Sequence, residues 1–126
     1  MDVRRVMLVD DERDIRVVAE IGLRDIGGFE VVMAASGPEA LALLDQEVPD
    51  VLLLDMLMPG MSGEEILAGL RKRPGLRELQ VIFLTAKADK RQVERYLALG
   101  ALGVIEKPFD PTTLAAEVRR LVAPSG

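Results

Sequence analysis

The chain has 126 residues, of which 49% are hydrophobic, and a formal net charge of −5 at pH 7; this length and apolar content fit one folded domain, with a core over about residues 4–122. Cysteine and histidine are both absent, which excludes disulfides, thiolate or imidazole metal sites, and histidine-based catalysis. The acidic balance, the 3% aromatic content and the lack of any apolar run near the ~20 residues of a membrane span lead us to expect a soluble cytoplasmic protein that binds neither membrane nor nucleic acid directly.

Five short apolar runs predict the strands of a buried sheet. Each run is aliphatic and continuous rather than alternating, which is typical of parallel strands covered on both faces. The runs are 6–9, 31–35, 51–54, 81–84 and 102–105.

Helical patterns separate these runs, and the first three have recognisable ends. The first has apolar residues at helical spacing over 15–26 and stops at the glycine pair 27–28, a common C-terminal signal. The second opens with SGPE at 36–39 and the third with SGEE at 62–65, and both fit capping boxes. The third ends near the basic residues 71–73, which suit a helix C-terminus.

Two more helices complete the chain. The fourth follows Asp89 and ends at Gly100. The fifth opens with Asp110 as N-cap and Pro111 at the first helical position, and it ends before a short tail at 123–126. A strand followed by a helix, five times over, predicts an α/β protein: a doubly wound (βα)5 domain with helices on both faces of a parallel sheet.

Polar side chains stand where the predicted strands end. Asp10 and Asp11 follow the first strand, Asp55 ends the third, Thr85 ends the fourth, and Lys107 follows the fifth. In an open parallel sheet, ligands bind outside the carboxyl ends of the strands. We therefore expect these five side chains to meet in one cleft.

The donor types of this cleft indicate phosphoryl transfer. Carboxylates without histidine or cysteine suit Mg²⁺, with Mn²⁺ as a second possible ion. Lys107, the Thr85 hydroxyl and the backbone N–H groups of Leu57 and Ala86 would bind phosphoryl oxygens, and Asp55 would be the carboxylate nucleophile.

Each residue also has a simpler interpretation when it is taken alone. Residues 10–12 would be an acidic cluster at a helix N-terminus, and Asp55 a turn residue that caps the next segment. Thr85 would be an ordinary strand-end hydroxyl, and Lys107 a surface lysine. The joint occurrence of all of them at one edge of the sheet favours the metal and phosphoryl site.

Four sequence motifs resemble the response-regulator receiver domain of two-component signalling, the chemotaxis-type fold. They are LVDDE at 8–12, LLLDMLMPGMSG at 52–63, FLTA at 83–86 and EKPF at 106–109. Their order and spacing match the family over nearly the whole chain. The resemblance implies a flavodoxin-like fold with strand order 2-1-3-4-5.

The resemblance also implies roles for the acidic residues. Asp55 matches the phospho-acceptor, which takes its phosphoryl group from a phosphohistidine. Asp11 matches the acid that ligates Mg²⁺ directly, and Asp10 the one that reaches it through water. Leu57 stands where the family uses a backbone carbonyl as a metal ligand. The implied donors are a sensor histidine kinase or a histidine phosphotransfer protein.

The remaining motif residues match the parts that respond to phosphorylation. Thr85 matches the hydroxyl that moves toward the phosphoryl group, and Lys107 the lysine that binds a phosphoryl oxygen. Pro108 follows a peptide bond that is usually cis in the family. Val104 departs from the family pattern, which often has Tyr or Phe there as a switch. We expect the signal to reach the fourth helix by a backbone shift instead.

The output surface implied by the family is the face formed by the fourth helix, fifth strand and fifth helix, where an unidentified downstream protein would bind. Residues 101–103, Ala-Leu-Gly, lack the acidic pair that many DNA-binding regulators use for dimerisation, so we expect no dimer of that type. The main prediction is a stand-alone phosphorylation switch, not a turnover enzyme.

Three other interpretations remain open at this stage. The chain is a receiver from a longer regulator with a DNA-binding or enzymatic output domain, a Mg²⁺-dependent aspartyl phosphohydrolase, or a flavodoxin-like cofactor binder. Leu57 offers no proton donor for a phosphohydrolase. The acidic residues 10–12 would repel the phosphate of a flavin.

Overall fold

The computed structural model describes residues 3–122, so the predicted tail at 123–126 lies outside the described residues. The strands are β1 (Arg5–Val9), β2 (Glu30–Ala34), β3 (Val51–Asp55), β4 (Gln80–Thr85) and β5 (Gly103–Glu106). The helices are α1 (Arg13–Glu20), α2 (Gly37–Gln46), α3 (Gly63–Arg71), α4 (Lys90–Ala98) and α5 (Leu114–Val122). A π-helical segment, Ile21–Ile26, continues α1, and a 3₁₀ turn, Pro74–Leu76, precedes β4.

The five strands form one parallel sheet in the order β2-β1-β3-β4-β5, which confirms the predicted flavodoxin-like topology. In the central pairs, Val9 stands beside Leu54, and Asp55 stands beside Leu84. This register brings the carboxyl ends of β1, β3 and β4 to the same edge. The functional side chains predicted at the strand ends are therefore neighbours.

The core consists of two apolar layers, one on each face of the sheet. Alternate residues of each central strand point to opposite layers, as the pleat requires. For example, Leu52 and Leu54 pack toward α2, α3 and α4, whereas Val51 and Leu53 pack toward α1 and α5. The central strands β1, β3 and β4 are almost wholly buried because both of their faces are covered, which confirms the interpretation of their continuous hydrophobic runs.

The predicted helix ends are confirmed for the end of the first helix at Gly27, for α3 and for α4, whereas the starts of α2 and α5 need correction. Ser62 and Glu65 form a complete capping box at α3, and Asp89 caps α4. At α2 the box is incomplete, because the Glu39 carboxylate accepts from the N–H of Ala35 rather than from that of the N-cap residue.

The start of α5 differs from the prediction. The Asp110 carboxylate does cap the segment, accepting from the N–H and hydroxyl of Thr112. Residues 111–113 form a turn, however, and the regular helix begins at Leu114. The N–H groups of Thr113 and Leu114 share the Asp110 carbonyl, so the first turn is tighter than an α-helix.

The π-helical segment after α1 lies closely against α5. A Cβ on Gly22 would stand 2.7 Å from the Pro111 carbonyl oxygen, and one on Gly27 would stand 2.5 Å from the Ala115 Cβ. Only glycine allows this approach at either position. Gly28, with φ +77°, then turns the chain into β2 as predicted.

No helix within residues 3–122 is long and apolar enough to cross a bilayer.

Candidate functional site

Three carboxylates meet at the carboxyl edge of the central strands. One oxygen each from Asp10, Asp11 and Asp55 lies within 4.8 Å of the other two. Asp10 and Asp55 are buried, and Asp11 is exposed. The predicted convergence of these three residues is therefore what the fold produces.

Asp55 is the last residue of β3 and is only 2% exposed. Met56 N makes one more bond of the β3–β4 ladder, to Leu84 O, and the chain then turns toward Ser62, which caps α3. A buried carboxylate at the end of an apolar strand requires compensating partners, and Lys107, which follows β5, supplies one of them.

Asp10 is held by hydrogen bonds at all of its polar atoms. Its N–H donates to Ala34 O, and its Oδ1 accepts from the N–H of Glu12. Its carbonyl accepts from Arg16 Nη1 at 2.8 Å, and its Oδ2 accepts from Lys107 Nζ at 3.0 Å. The turn between β1 and α1 is thereby fixed around this carboxylate.

Lys107 offsets part of the negative charge of the cluster. Its ammonium lies 3.0 Å from Asp10 Oδ2, 3.2 Å from Asp55 Oδ1 and 3.4 Å from Glu12 Oε1. Burial lowers the pKa of Lys107, but the hydrogen bond and charge of Asp10, followed by those of Asp55, outweigh burial and raise it. The lysine is therefore a permanent cation at this edge. Its peptide bond to Pro108 is cis, as predicted.

Asp55 remains incompletely compensated. Its Oδ1 accepts from Lys107 and, at 3.4 Å, from the N–H of Leu57, whereas its Oδ2 is buried without a hydrogen-bond partner among the described residues. Burial, and next to it the charge of Asp10, raises the pKa of Asp55 from 3.8 to about 6. The site is thus short of positive charge or hydrogen-bond donors at this one oxygen.

A cavity of about 340 Å³ opens beside Asp55. It is lined by Glu12, Ile15, Asp55, Met56, Leu57, Thr85, Ala86, Lys107 and Pro108. All the sequence-predicted residues other than Asp10 and Asp11 therefore border one space. Leu57 is 81% exposed at its rim.

Thr85 lies at this cavity with its hydroxyl engaged elsewhere. Its Oγ1 accepts from the N–H of Lys87 and donates to the Lys87 carbonyl, at 3.2 Å in both cases. Its predicted bond to a phosphoryl group would require this local pairing to open.

Two residues around the cluster were not singled out as site residues from the sequence. Glu12 occupies the N-cap position of α1 without a side-chain capping bond, and its carboxylate lies near Lys107 instead. Arg16 holds the Asp10 carbonyl from the second turn of α1. Glu12 therefore stands at the helix N-terminus, as the simpler interpretation had it, but its side chain does not cap the helix. The one sequence signal for Arg16 was a cation six residues after a strand-end acid.

The donor set fits a small divalent cation. Three carboxylates supply oxygen ligands at short range without nitrogen or sulfur, as Mg²⁺ and Mn²⁺ prefer. The unpartnered Asp55 Oδ2 is an oxygen that such an ion would satisfy. The same edge provides an ammonium, a hydroxyl and a buried carboxylate around an open cavity, a set of groups that is compatible with phosphoryl transfer.

Known proteins resemble this chain in sequence. The family model for the response regulator receiver domain matches residues 6–119. The probable transcriptional regulator ycf27 of Guillardia theta is 41% identical over 118 residues, covering 94% of this chain and 45% of that protein. The phosphate regulon transcriptional regulatory protein PhoB of Rhizobium meliloti (strain 1021) is 36% identical, covering 94% and 52%. The chain spans about half the length of the curated relatives it matches.

Solved structures share the whole fold. The chemotaxis response regulator CheY4 of Vibrio cholerae superimposes with a TM-score of 0.87 at 33% identity, covering 96% of this chain and all of that one. The receiver domain of NtrX from Brucella abortus gives a TM-score of 0.83 at 29% identity, covering 95% and 99%. Sequence, topology and strand-end residues agree, and the chain belongs to the response regulator receiver domain family of two-component signal transduction.

Proposed function

We propose that Asp55 accepts a phosphoryl group from a phosphohistidine and that the resulting acyl phosphate switches the output face. The receiver family points to a phosphoryl acceptor rather than a classical enzyme. The observation that carries the proposal for this chain is Asp55 itself, buried at a strand end, held by Lys107 through one oxygen and unpartnered at the other. A purely structural aspartate would have both oxygens satisfied.

Receiver domains generally bind Mg²⁺ at an acidic pocket. In this chain the carboxylates of Asp10, Asp11 and Asp55 and the backbone carbonyl of Leu57 would hold Mg²⁺, or Mn²⁺ in its place. When bound, the cation would offset the charge of the carboxylates and of the phosphoryl oxygens. The three carboxylate oxygens within 4.8 Å of one another support this assignment.

The transfer itself needs little from the protein beyond position and charge. A carboxylate oxygen of Asp55 attacks phosphorus, the new O–P bond forms as the P–N bond breaks, and the electron pair leaves on the imidazole nitrogen of the donor. Lys107 would stay beside a phosphoryl oxygen, joined by the Thr85 hydroxyl and the N–H groups of Ala86 and Leu57. The Thr85 hydroxyl first has to release Lys87.

Receiver domains of two-component systems interact with histidine kinases. For this chain, the donor would be such a kinase or a histidine phosphotransfer protein, with a downstream protein on the face formed by α4, β5 and α5. We further propose that residues 1–126 are one receiver domain that carries no catalytic turnover of its own.

The test is phosphorylation by a small donor. The protein is incubated with Mg²⁺ and acetyl phosphate, and its intact mass is followed with time. We expect the gain of one phosphoryl group, abolished by chelator and by Asp55→Asn. Folded protein that gains no mass from acetyl phosphate, and none from a phosphorylated histidine kinase, would overturn the proposal.

A second candidate concerns the output. The curated relatives are transcriptional regulators about twice the length of this chain, which supports a receiver that belongs to a longer regulator of transcription. If so, phosphorylation would change self-association, and light scattering of the phosphorylated domain would detect a dimer. A monomer in both states would favour the stand-alone switch, as the sequence at 101–103 predicts.

A further inference from the structure

Helix α4 is attached to the domain more weakly than its neighbours. Tyr96 is its one buried side chain, whereas α3 buries Ile66, Leu67 and Leu70 and α5 is anchored by a comparable apolar set. Few buried apolar contacts imply a low free energy of local opening. The position of α4 therefore depends on a small number of side-chain interactions.

Two interactions hold α4 in place. The Tyr96 ring meets Phe83 of β4 edge-on, with the ring centres 5.2 Å apart. The Arg95 guanidinium pairs with the Glu64 carboxylate of α3 at 2.6 Å. Within residues 3–122, no other ion pair joins α4 to the rest of the domain.

Below this ion pair lies a cavity of about 460 Å³ between α3 and α4. Four residues, Met56, Leu57, Thr85 and Ala86, line both this cavity and the one beside Asp55. The cavity also contains a buried amide oxygen of Gln92 that has no hydrogen-bond partner in the described part of the chain. The two cavities therefore share one wall, formed by these four residues.

The loop that forms this wall leads directly into α4. Thr85 ends β4, its hydroxyl is paired with the backbone of Lys87, and α4 begins after Asp89. Ala88 N donates to Glu106 Oε1 at the far side of the loop. A restraint on α4 is therefore also a restraint on the hydroxyl that would bind the phosphoryl group.

We propose that the Glu64–Arg95 ion pair is a positioning device that holds α4 and, through α4, keeps the Thr85 hydroxyl on its own loop. Releasing the ion pair makes phosphoryl binding at Asp55 more favourable. This inference rests on the proposed function. Because coupling between two equilibria is reciprocal, phosphoryl binding must loosen the ion pair by the same factor.

The test compares Arg95→Gln with Arg91→Gln. Arg91 is an exposed cation on the same helix without an ion pair among the described residues, so the two variants change the net charge equally. Binding of beryllofluoride, a phosphoryl analogue, is followed by amide NMR at saturating Mg²⁺. We expect Arg95→Gln to tighten binding about two- to fivefold, the range set by an exposed ion pair, and Arg91→Gln to match the wild type.

Three further measurements separate positioning from a general effect. Glu64→Gln is expected to tighten binding as Arg95→Gln does, and the double variant to behave like either single variant, because all three lack the same pair. Affinity for Mg²⁺ alone, measured by calorimetry, should be equal in Arg95→Gln and Arg91→Gln. Amide exchange should quicken in α4 of Arg95→Gln and stay unchanged in α3 and α5.

The outcomes distinguish the two proposals. A wild-type protein that binds no beryllofluoride would refute the proposed function. A wild-type protein that binds it, with Arg95→Gln equal to Arg91→Gln or weaker, would refute the restraint alone. Additive effects of Glu64→Gln and Arg95→Gln would also refute it, since the two residues would then act independently.

Discussion

At the scale of single residues, the site combines one fully satisfied carboxylate with one that is not. Asp10 has a partner at each polar atom, whereas Asp55 has a buried oxygen without one and a pKa raised to about 6. The sequence was sufficient to place both residues at one edge, because strand ends of a parallel sheet coincide. It was not sufficient to predict that Lys107 pairs with both, since that depends on side-chain distances across three strands.

The raised pKa of Asp55 makes this residue destabilising in the metal-free protein at neutral pH. The folded protein keeps a proton there up to about pH 6, whereas the unfolded chain loses it near 4. The folded state therefore binds more protons between these values, and stability falls as the pH rises through this window. The penalty is fully present above about pH 6 and absent below about pH 4.

We therefore expect Asp55→Asn to raise the free energy of unfolding by about 2–3 kcal/mol at about pH 7.5 in chelator, because one pKa unit corresponds to ~1.4 kcal/mol. The gain should shrink toward zero near pH 4. Urea unfolding at both pH values measures it, with Asp25→Asn, an exposed acid remote from the cluster, as the matched control. A gain that is equal at both pH values would show that the raised pKa of Asp55 is not its cause.

We expect the side chain of Leu57 to affect the lifetime of the proposed acyl phosphate rather than its formation. Its exposed apolar side chain borders the cavity beside Asp55 and has no group to orient a water. We expect Leu57→Asn to shorten the lifetime of phospho-Asp55 about two- to tenfold, below the range of full general acid–base catalysis. Loss of the phosphoryl mass after donor removal is the measurement. Leu97→Asn on α4 controls for surface polarity, and an unchanged lifetime in Leu57→Asn would refute the role.

At the scale of elements, the strands were predictable and several helix ends were not. The apolar runs are clearest in β1, β3 and β4, which are buried on both faces, whereas the edge strands β2 and β5 are partly exposed. The π-helical continuation of α1 at Ile21–Ile26 escaped prediction because its close contact is with a segment distant in sequence. The late start of α5 at Leu114 escaped prediction because it depends on how the Asp110 carbonyl is shared between two N–H groups. Nothing in the sequence around Gly22 indicates that this residue contacts Pro111.

The contact between the π-helical segment and α5 leads to a prediction on stability. Gly22→Ala and Gly27→Ala would place a methyl group against backbone or Cβ atoms at 2.7 and 2.5 Å, and we expect each to lower the free energy of unfolding by about 1–3 kcal/mol. Gly69→Ala in α3 meets nothing within 4 Å and should raise it by about 0.5–1 kcal/mol. Urea unfolding compares the three, and equal effects would contradict the close approach.

At the scale of the whole molecule, two apolar layers cover a sheet, and three carboxylates lie close together at the carboxyl edge of its central strands. The strand order predicted from the family resemblance was confirmed, and with it the position of the cleft. The layers provide the stability that this edge reduces. A ligand that offsets the negative charge should therefore raise the free energy of unfolding of the whole domain.

Mg²⁺ is expected to stabilise the native state globally through this edge. A concentration 100 times the dissociation constant corresponds to about 2.7 kcal/mol by mass action. Thermal unfolding with MgCl₂, against KCl of equal ionic strength, measures the shift. Asp11→Asn should reduce it, because one of the three carboxylate ligands is lost. An equal shift in both salts would indicate ionic strength rather than a bound cation.

The single buried side chain of α4 has a spectroscopic consequence. Tyr96 is the only tyrosine of the chain, and tryptophan is absent, so essentially all near-ultraviolet emission above the weak phenylalanine signal originates from one ring. That ring meets Phe83 edge-on and lines the cavity that shares a wall with the cavity beside Asp55. The unlabelled protein thus carries its own fluorophore between the cavity beside Asp55 and helix α4.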